Sequence, residues 1–160
     1  MTETQNLAVL FVCLGNICRS PMAEAAFRHT VKESGYAESF TRIDSCGTAG
    51  YHVGVRPDSR TLATLKNNGI DTNHRARQVT KKDFDEFDYI LAMDTANLHF
   101  LLRKAPPGSK AKVMLFGDFG NTKGEEVADP YYGGTSGFET NFKQIITFSK
   151  GFLRQVLGRE

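Results

Sequence analysis

The chain lacks any stretch near the ~18 consecutive apolar residues that cross a membrane, so no span is expected. Lys and Arg never run beyond pairs such as Lys81-Lys82. With 20 basic and 18 acidic residues, the net charge is only +2. That mild excess suits an anionic substrate and excludes a dedicated nucleic-acid binder. The opening residues, Met1 to Asn6, are polar and lack the basic and apolar regions of a signal peptide. Neither end carries a lipidation signature. Cysteine is scarce and odd in number, three in all. An odd count argues against a secreted disulfide scaffold and for reduced thiols in the cytoplasm. There is no internal repeat, no low-complexity tract and no linker. At 160 residues the chain is expected to form one domain, 1–160, with a substantial core.

What is present alternates between strand and helix. Leu7 to Val12 is an apolar run that reads as a buried strand, and Pro21 to about Gly35 reads as a helix. In that helix Ala23, Ala26, Phe27, Thr30 and Val31 recur on one face. A second strand is expected near Phe40 to Cys46, then a Gly-rich loop from Gly47 to Arg56. A helix follows from Pro57 to about Asn68, with Gly69 as a left-handed stop and Ile70 reaching back to Leu65. Arg75 to Val79 reads as irregular and Lys81 to Asp85 as a short helical turn. Tyr89 to Met93 is a third strand ending on Asp94, Thr95 to Lys104 a helix, and Lys112 to Phe116 a fourth strand. A polar loop from Gly117 to Tyr132 precedes a closing helix from about Gly137 to Leu157. Strands separated by helices predict a parallel sheet with right-handed crossovers, an α/β fold in one doubly wound domain with helices on both faces. Ligands bind such sheets beyond the carboxyl ends of the strands, where Cys13 and Asp94 both fall.

The stretch from Val12 to Pro21, VCLGNICRSP, is the chemical centre. A strand ends at Cys13, a short loop follows, and a helix begins with Ser20 read as N-cap and Pro21 at its first position. The helix N-terminus and the loop N–H groups then converge on one spot and bind an anion. Gly15 permits close backbone approach, and Asn16 tolerates a left-handed conformation. A cysteine at the mouth of such a loop is a thiolate nucleophile that needs no separate base. A buried structural cysteine is the blander reading, and the position of Cys13 argues against it. Arg19 supplies a planar fork for two phosphoryl oxygens. The backbone of Leu14, Gly15, Asn16, Ile17, Cys18 and Ser20 would hold the remaining oxygens. The Ser20 hydroxyl could also bond the Cys13 sulfur and help it leave. Asp129 reads either as a turn residue of Asp-Pro or as the proton donor on a loop over the site.

Cys-x5-Arg-Ser after a strand resembles the phosphate loop of cysteine-dependent tyrosine phosphatases. Together with the N-terminal position of the loop and the late Asp129-Pro130-Tyr131-Tyr132, it resembles the low-molecular-weight protein tyrosine phosphatase family, in its eukaryotic branch. Asp44-Ser45, Ala76-Arg77-Gln78-Val79, Phe87-Asp88-Tyr89-Ile90 and Met93-Asp94 extend the likeness over nearly the whole chain. The resemblance implies a four-stranded parallel sheet flanked by helices. It implies metal-independent hydrolysis of phosphotyrosine and small aryl phosphates, with no metal or organic cofactor and with phosphate as product and inhibitor. Asp129 becomes general acid and then base, so the rate should fall above mildly acidic pH. Tyr51 and Tyr131 become walls of a slot for the substrate ring, and Tyr131 and Tyr132 phosphorylation sites. Cys18 becomes the redox partner of Cys13 in a reversible disulfide, while Cys46 reads as core. Asn16, Ser45 and His74 become a support behind the loop, with Glu24 pairing His74 and keeping it protonated; Asp94 joins this support rather than the acid step. Arg56 is expected to favour acidic residues near the phosphotyrosine. The expected partners are phosphotyrosine proteins or peptides, with neither nucleic acid nor membrane, and the chain is expected to be monomeric with at most weak self-association.

Three rival readings remain distinct. An arsenate reductase of related fold would need cysteines after Cys46, and none follows. An oxyanion-binding or redox-sensing module built on Cys13 and Cys18 would bind phosphate without turnover. A Cys-x4-Cys metal site lacks a second ligand pair.

Overall fold

The structure, a computed structural model, describes residues 6–131 and 133–158. Its centre is β1 (Leu7–Cys13), buried from Ala8 onward. β2 (Phe40–Gly47) and β3 (Tyr89–Ala92) pair with it on either side, and β4 (Lys112–Leu115) closes the far edge beside β3. All pairings are parallel, in the order β2-β1-β3-β4. The four-stranded parallel sheet expected from the pattern is therefore present. The chain turns one way from β1 to β2 and crosses back to reach β3. The sheet's switch point thus lies between the ends of β1 and β3, where a crevice opens.

Alternation along β1 divides the core. Val9, Phe11 and Cys13 face one side with Leu91 and Met93. There they meet α1 (Arg19–Glu33), α2 (Ser59–Asn67) and α5 (Thr135–Leu157). Ala8, Leu10 and Val12 face the other side with Ile90 and Ala92. That side is covered by Phe84 of α3 (Asp83–Glu86) and Leu101 of α4 (Thr95–Lys104). Helices cover both faces, as the doubly wound reading requires. Phe27 of α1 anchors the first side, with ring centroids 5.2 Å from Phe11, 5.4 Å from Phe40 and 5.3 Å from Phe152.

Several boundaries agree closely with the sequence reading. α4 occupies Thr95–Lys104 and is opened by Asp94, which accepts a hydrogen bond from the Asn97 N–H at 2.8 Å. α2 stops at Gly69, whose φ is +75°, and the Ile70 N–H donates to the Leu65 carbonyl at 2.9 Å. Others shift. α1 starts at Arg19 with Cys18 as its N-cap, so Ser20 and Pro21 lie inside the first turn. The Ser20 hydroxyl is turned toward Cys13 and does not cap its own helix. α2 starts at Ser59 because the Asp58 side chain caps it, accepting from the Arg60 N–H at 2.8 Å. β3 and β4 each end one residue early, and after β4 the chain tightens into a 3-10 turn over Phe116–Phe119. No helix among the described residues is long and apolar enough to cross a membrane.

Replacing Phe27 with Ala should destabilise the protein by about 3–5 kcal/mol, the usual cost of deleting a fully buried phenyl group. Urea unfolding with an unchanged m-value measures this. A loss below about 1 kcal/mol would mean that the aromatic cluster closes over the gap.

Candidate active site

The site begins where β1 runs out. Beyond Cys13 the backbone reverses at Asn16, the only non-glycine residue with positive φ (+58°) among the described residues. The turn brings the Asn16 N–H back to the Cys13 sulfur at 3.3 Å, and the Ser20 hydroxyl lies 3.1 Å from the same sulfur. Leu14, Gly15, Ile17 and Cys18 have backbone N–H groups with no acceptor among the described residues. These donors line the loop that leads into the N-terminus of α1, an arrangement suited to an anion. The loop is braced from the β2 side, where the Thr48 and Ala49 N–H groups donate to the Cys13 and Leu14 carbonyls at 2.9 and 3.0 Å. Gly47 allows this approach, because a Cβ there would sit 2.7 Å from the Leu14 carbonyl oxygen.

Asn16 is fully buried, and its amide holds the loop in shape. Its Oδ1 accepts from the Arg77 backbone N–H at 3.0 Å, which fixes the amide's orientation. The same Oδ1 lies 2.7 Å from His74 Nε2, so this nitrogen carries the proton. On the other side Nδ2 donates to Ser20 Oγ (2.8 Å) and Ser45 Oγ (3.0 Å). Ser45 donates in turn to Glu24 Oε1 at 2.8 Å, and His74 Nδ1 lies 3.2 Å from that same oxygen. Burial pushes the Glu24 carboxyl above its usual range, against the opposing pull of His74 and Ser45. Ligand atoms of Glu24, Asp44 and His74 lie within 4.8 Å of one another, close enough for a metal ion. They are already engaged by Arg28 on Glu24, Arg77 on Asp44 and Asn16 on His74. Arg77 also grips Asp83 through two contacts of 3.1 Å.

Arg19 is buried beside the thiol. Its Nη1 donates to Asp94 Oδ2 at 2.6 Å and to the Val127 carbonyl at 3.0 Å, while its Nη2 stands 3.8 Å from Asp129 Oδ2. Burial works against the charge, but Cys13, Asp94 and Asp129 outweigh it and hold the guanidinium above its ordinary value. Asp129 is exposed at the edge of the opening, and its Oδ1 accepts from the Tyr131 N–H at 3.0 Å.

A cavity of about 350 Å³ opens over these groups. Cys13, Arg19 and Cys18 lie at its base, with Leu14, Gly15, Ile17, Tyr51, His52, Asp129 and Tyr131 around it. Two loops far apart in sequence thus bring Tyr51 and Tyr131 to one opening. His52 packs against the loop after Cys13, since a Cβ on Gly15 would lie 2.9 Å from its ring. Arg56 does not line the cavity; it donates to the Thr72 carbonyl at 3.4 Å. Tyr132 lies outside the described residues. Cys13, Cys18 and Cys46 are free thiols, and Cys46 is fully buried in the core. Burial, reinforced by Asp58, pushes the Cys18 thiol up to about 12, so it stays protonated at neutral pH.

Sequence reasoning missed three parts of this site. Arg60 packs over the Tyr131 ring, the Val127 carbonyl receives Arg19, and Glu126 accepts the Thr95 N–H at 2.6 Å. That bond lowers the Glu126 carboxyl below its usual range. Only Asp58, two residues before Arg60 and just after Pro57, carried a readable signal, as a helix cap.

Two outcomes are expected here. Asn16→Ala should cost about 2 kcal/mol or more in urea unfolding, from orphaned buried partners, and weaken binding of inorganic phosphate at least about tenfold. Asn16→Gly should regain about 1 kcal/mol by relieving the left-handed backbone; equal stability of the two variants would mean that the backbone is unstrained. In a Cys13→Ser background, alkylation of Cys18 by iodoacetamide should rise about tenfold per pH unit, with no plateau below about pH 11. A plateau near pH 9 would contradict the effect of burial.

The comparisons agree with this geometry. A model of the low molecular weight phosphotyrosine protein phosphatase family matches residues 8–160. A low molecular weight phosphotyrosine protein phosphatase of Schizosaccharomyces pombe is 54% identical over 154 residues, 96% of this chain and 99% of that protein. A tyrosine phosphatase from Entamoeba histolytica superposes with a TM-score of 0.90 at 38% identity, over 96% of this chain and 98% of that one. A Drosophila arginine phosphatase does so with 0.88 at 38% identity, over 94% and 98%. With a match across nearly its whole length and a loop, sheet and cavity of this form, the chain belongs to the low-molecular-weight phosphotyrosine protein phosphatase family.

Proposed function

We propose that this chain hydrolyses protein phosphotyrosine, and small aryl phosphates, in two steps through a phosphocysteine. Cys13 Sγ attacks phosphorus in line and the bond to the tyrosine oxygen breaks. Arg19 and the free loop N–H groups hold the non-bridging oxygens and stabilise the charge that spreads over them. Asp129 gives its proton to the departing phenolate. Water then attacks the phosphocysteine, Asp129 takes its proton, and the thiolate leaves with the Ser20 hydroxyl, 3.1 Å away, to support it. Inorganic phosphate is the product and competes for the same loop. No metal or organic cofactor enters either step, since the guanidinium and the loop donors supply the charge stabilisation.

The observation that carries this reading is one opening that gathers Cys13, Arg19, Asp129 and two tyrosines. A slot walled by Ile17, Tyr51 and Tyr131 favours a flat aryl group, and a thiol buried beneath those walls is out of reach of the shorter phosphoserine. The same walls disfavour phosphoarginine, whose cationic leaving group would find only Asp129 as a counter-charge in the lining. Cys18 stands as the resolving thiol. Peroxide oxidises Cys13 to the sulfenic acid, and Cys18 displaces water from it to form a disulfide. The working form is a cytoplasmic monomer in a single domain.

Turnover of a phosphotyrosine peptide should persist in EDTA, vanish in Cys13→Ser and fall about 10²-fold or more in Asp129→Ala. The rate should decline above mildly acidic pH. Phosphoserine and phosphoarginine peptides should be poor substrates. No turnover by fully reduced wild type would remove the proposal and leave an oxyanion-binding module.

A further inference from the structure

We propose that Arg60 is a positioning residue for this reaction: it clasps the downstream end of the acid loop and fixes Tyr131 as a wall of the slot. The inference rests on the reading of Tyr131 and Asp129 given above.

The loop that carries Asp129 is pinned firmly on its upstream side. The Val127 N–H donates to the Met93 carbonyl at 2.8 Å, and the Val127 carbonyl receives Arg19 at 3.0 Å. Glu126 is held through its side chain by the Thr95 N–H and through its carbonyl by Gln144, at 2.6 and 3.0 Å. Asp129 and Tyr131 therefore sit on a short arm that starts at a fixed point. An arm fixed at one end alone can swing, and a small displacement of a reacting or binding group is costly to rate.

Pro130, between Asp129 and Tyr131, is buried against Gly137 of α5, and Arg60 supplies a further fixed point at Tyr131 itself. Its Nη1 donates to the Gly133 carbonyl at 3.4 Å. Its guanidinium carbon lies 5.4 Å from the Tyr131 ring centroid and 4.6 Å from that of Phe138, at the start of α5. Both distances fit a cation resting on aromatic faces. The guanidinium is itself immobilised by Asp58, with Nε–Oδ1 and Nη2–Oδ2 contacts of 3.0 Å each. Asp58 and Thr61 are tied to the phosphate loop. The Asp58 N–H donates to the Ile17 carbonyl at 2.8 Å, and the Thr61 hydroxyl to the Cys18 carbonyl at 3.2 Å.

A continuous path thus runs from the loop that holds the phosphate, through the first turn of α2, to the wall that holds the ring. The separation of wall and loop is the depth of the slot. Only a planar, multiply donating cation can accept this arrangement, with one edge against a carboxylate, one corner on a carbonyl and its face on a ring. A lysine ammonium keeps the charge and loses the fork and the plane.

The test compares Arg60→Lys, Arg60→Met, Tyr131→Ala and the doubles of each Arg60 variant with Tyr131→Ala. The probes are a phosphotyrosine peptide for kcat/KM and inorganic phosphate for inhibition. Arg60→Lys and Arg60→Met should each lower kcat/KM about five- to tenfold, mainly through KM. The phosphate inhibition constant should stay within twofold of wild type, because the phosphate loop is untouched. On the Tyr131→Ala background either Arg60 change should add less than a twofold loss, since the clasp acts through that ring. Wild-type kcat/KM in Arg60→Lys overturns the proposal, as does a matching loss of phosphate affinity. Should Arg60→Met fail to fold, the Lys variant carries the same comparison. Losses that multiply with a costly Tyr131→Ala remove the clasp alone. A harmless Tyr131→Ala removes the slot-wall reading and the clasp with it, while loss of turnover in wild type would strike the phosphatase reading itself.

Discussion

Everything in the site depends on one buried amide. Asn16 turns the backbone into the left-handed region and uses both ends of its side chain to keep it there. Oδ1 accepts from the Arg77 N–H and His74, while Nδ2 donates to Ser20 and Ser45. A glycine would accept the same φ without strain. It would leave two buried hydroxyls, a backbone N–H and an imidazole short of a partner, and each orphaned group costs about 1–3 kcal/mol. An aspartate would present acceptors alone, where two of the four neighbours must receive a hydrogen bond. The left-handed turn brings the Asn16 N–H onto the Cys13 sulfur, and the amide bonds stop the loop from relaxing outward. The loop is therefore held in shape by its own side chains, the preorganisation that the proposed phosphate binding would rely on.

The second constraint is electrostatic. Burying Arg19 is costly unless its charge is met at close range. Asp94 meets it at 2.6 Å while also capping α4 through its other oxygen. One carboxylate thus orients the guanidinium and takes its own orientation from a helix end. The Val127 carbonyl adds a neutral contact, and Asp129 stands further off at 3.8 Å from the other terminal nitrogen. The asymmetry is useful. Nη1 is committed to the scaffold, while Nη2 stands 3.8 Å from an exposed carboxylate at the rim of the opening. In the mechanism proposed above, an incoming phosphate would take that nitrogen and leave the Asp94 contact in place.

Much of the arrangement could be read from the chain itself. The sheet, its helices and the position of Cys13 follow from periodicity and from the strand–loop–helix junction, because local patterns encode local structure. α4 was legible to the residue, since Asp94 and Pro106 mark its limits chemically. Ser20 was misread as a cap for a physical reason. A hydroxyl at a helix start usually satisfies the helix, but here a sulfur 3.1 Å away and the Asn16 amide compete for it. Arg60 stayed hidden for a different reason. Its partners are an aspartate two residues away and a ring 71 positions later, and no spacing rule connects Arg60 to Tyr131. Arg56 was the more conspicuous cation on the nearby loop, yet it turns to Thr72.

The two loops that face each other over Cys13 are anchored in different ways, and this separates their tasks. The loop after Cys13 is held by buried hydrogen bonds from the β2 side and from the Asn16 cluster. Asp129 and Tyr131 are exposed on either side of the buried Pro130, between anchoring points at Val127 and at Gly133. A rigid donor array suits a transition state whose oxygens must be met at fixed positions. An exposed arm would suit the proposed roles of these groups, which must let a phosphotyrosine side chain enter and leave and exchange protons with water. Were both loops equally rigid, the opening would admit the proposed phosphotyrosine substrate slowly. With both equally loose, neither Asp129 nor the Tyr131 ring would keep the register with the thiol that the proposed mechanism needs. The switch point between β1 and β3 makes this division possible, because it brings a strand end, a helix start and a distant loop to one opening without requiring them to share a scaffold.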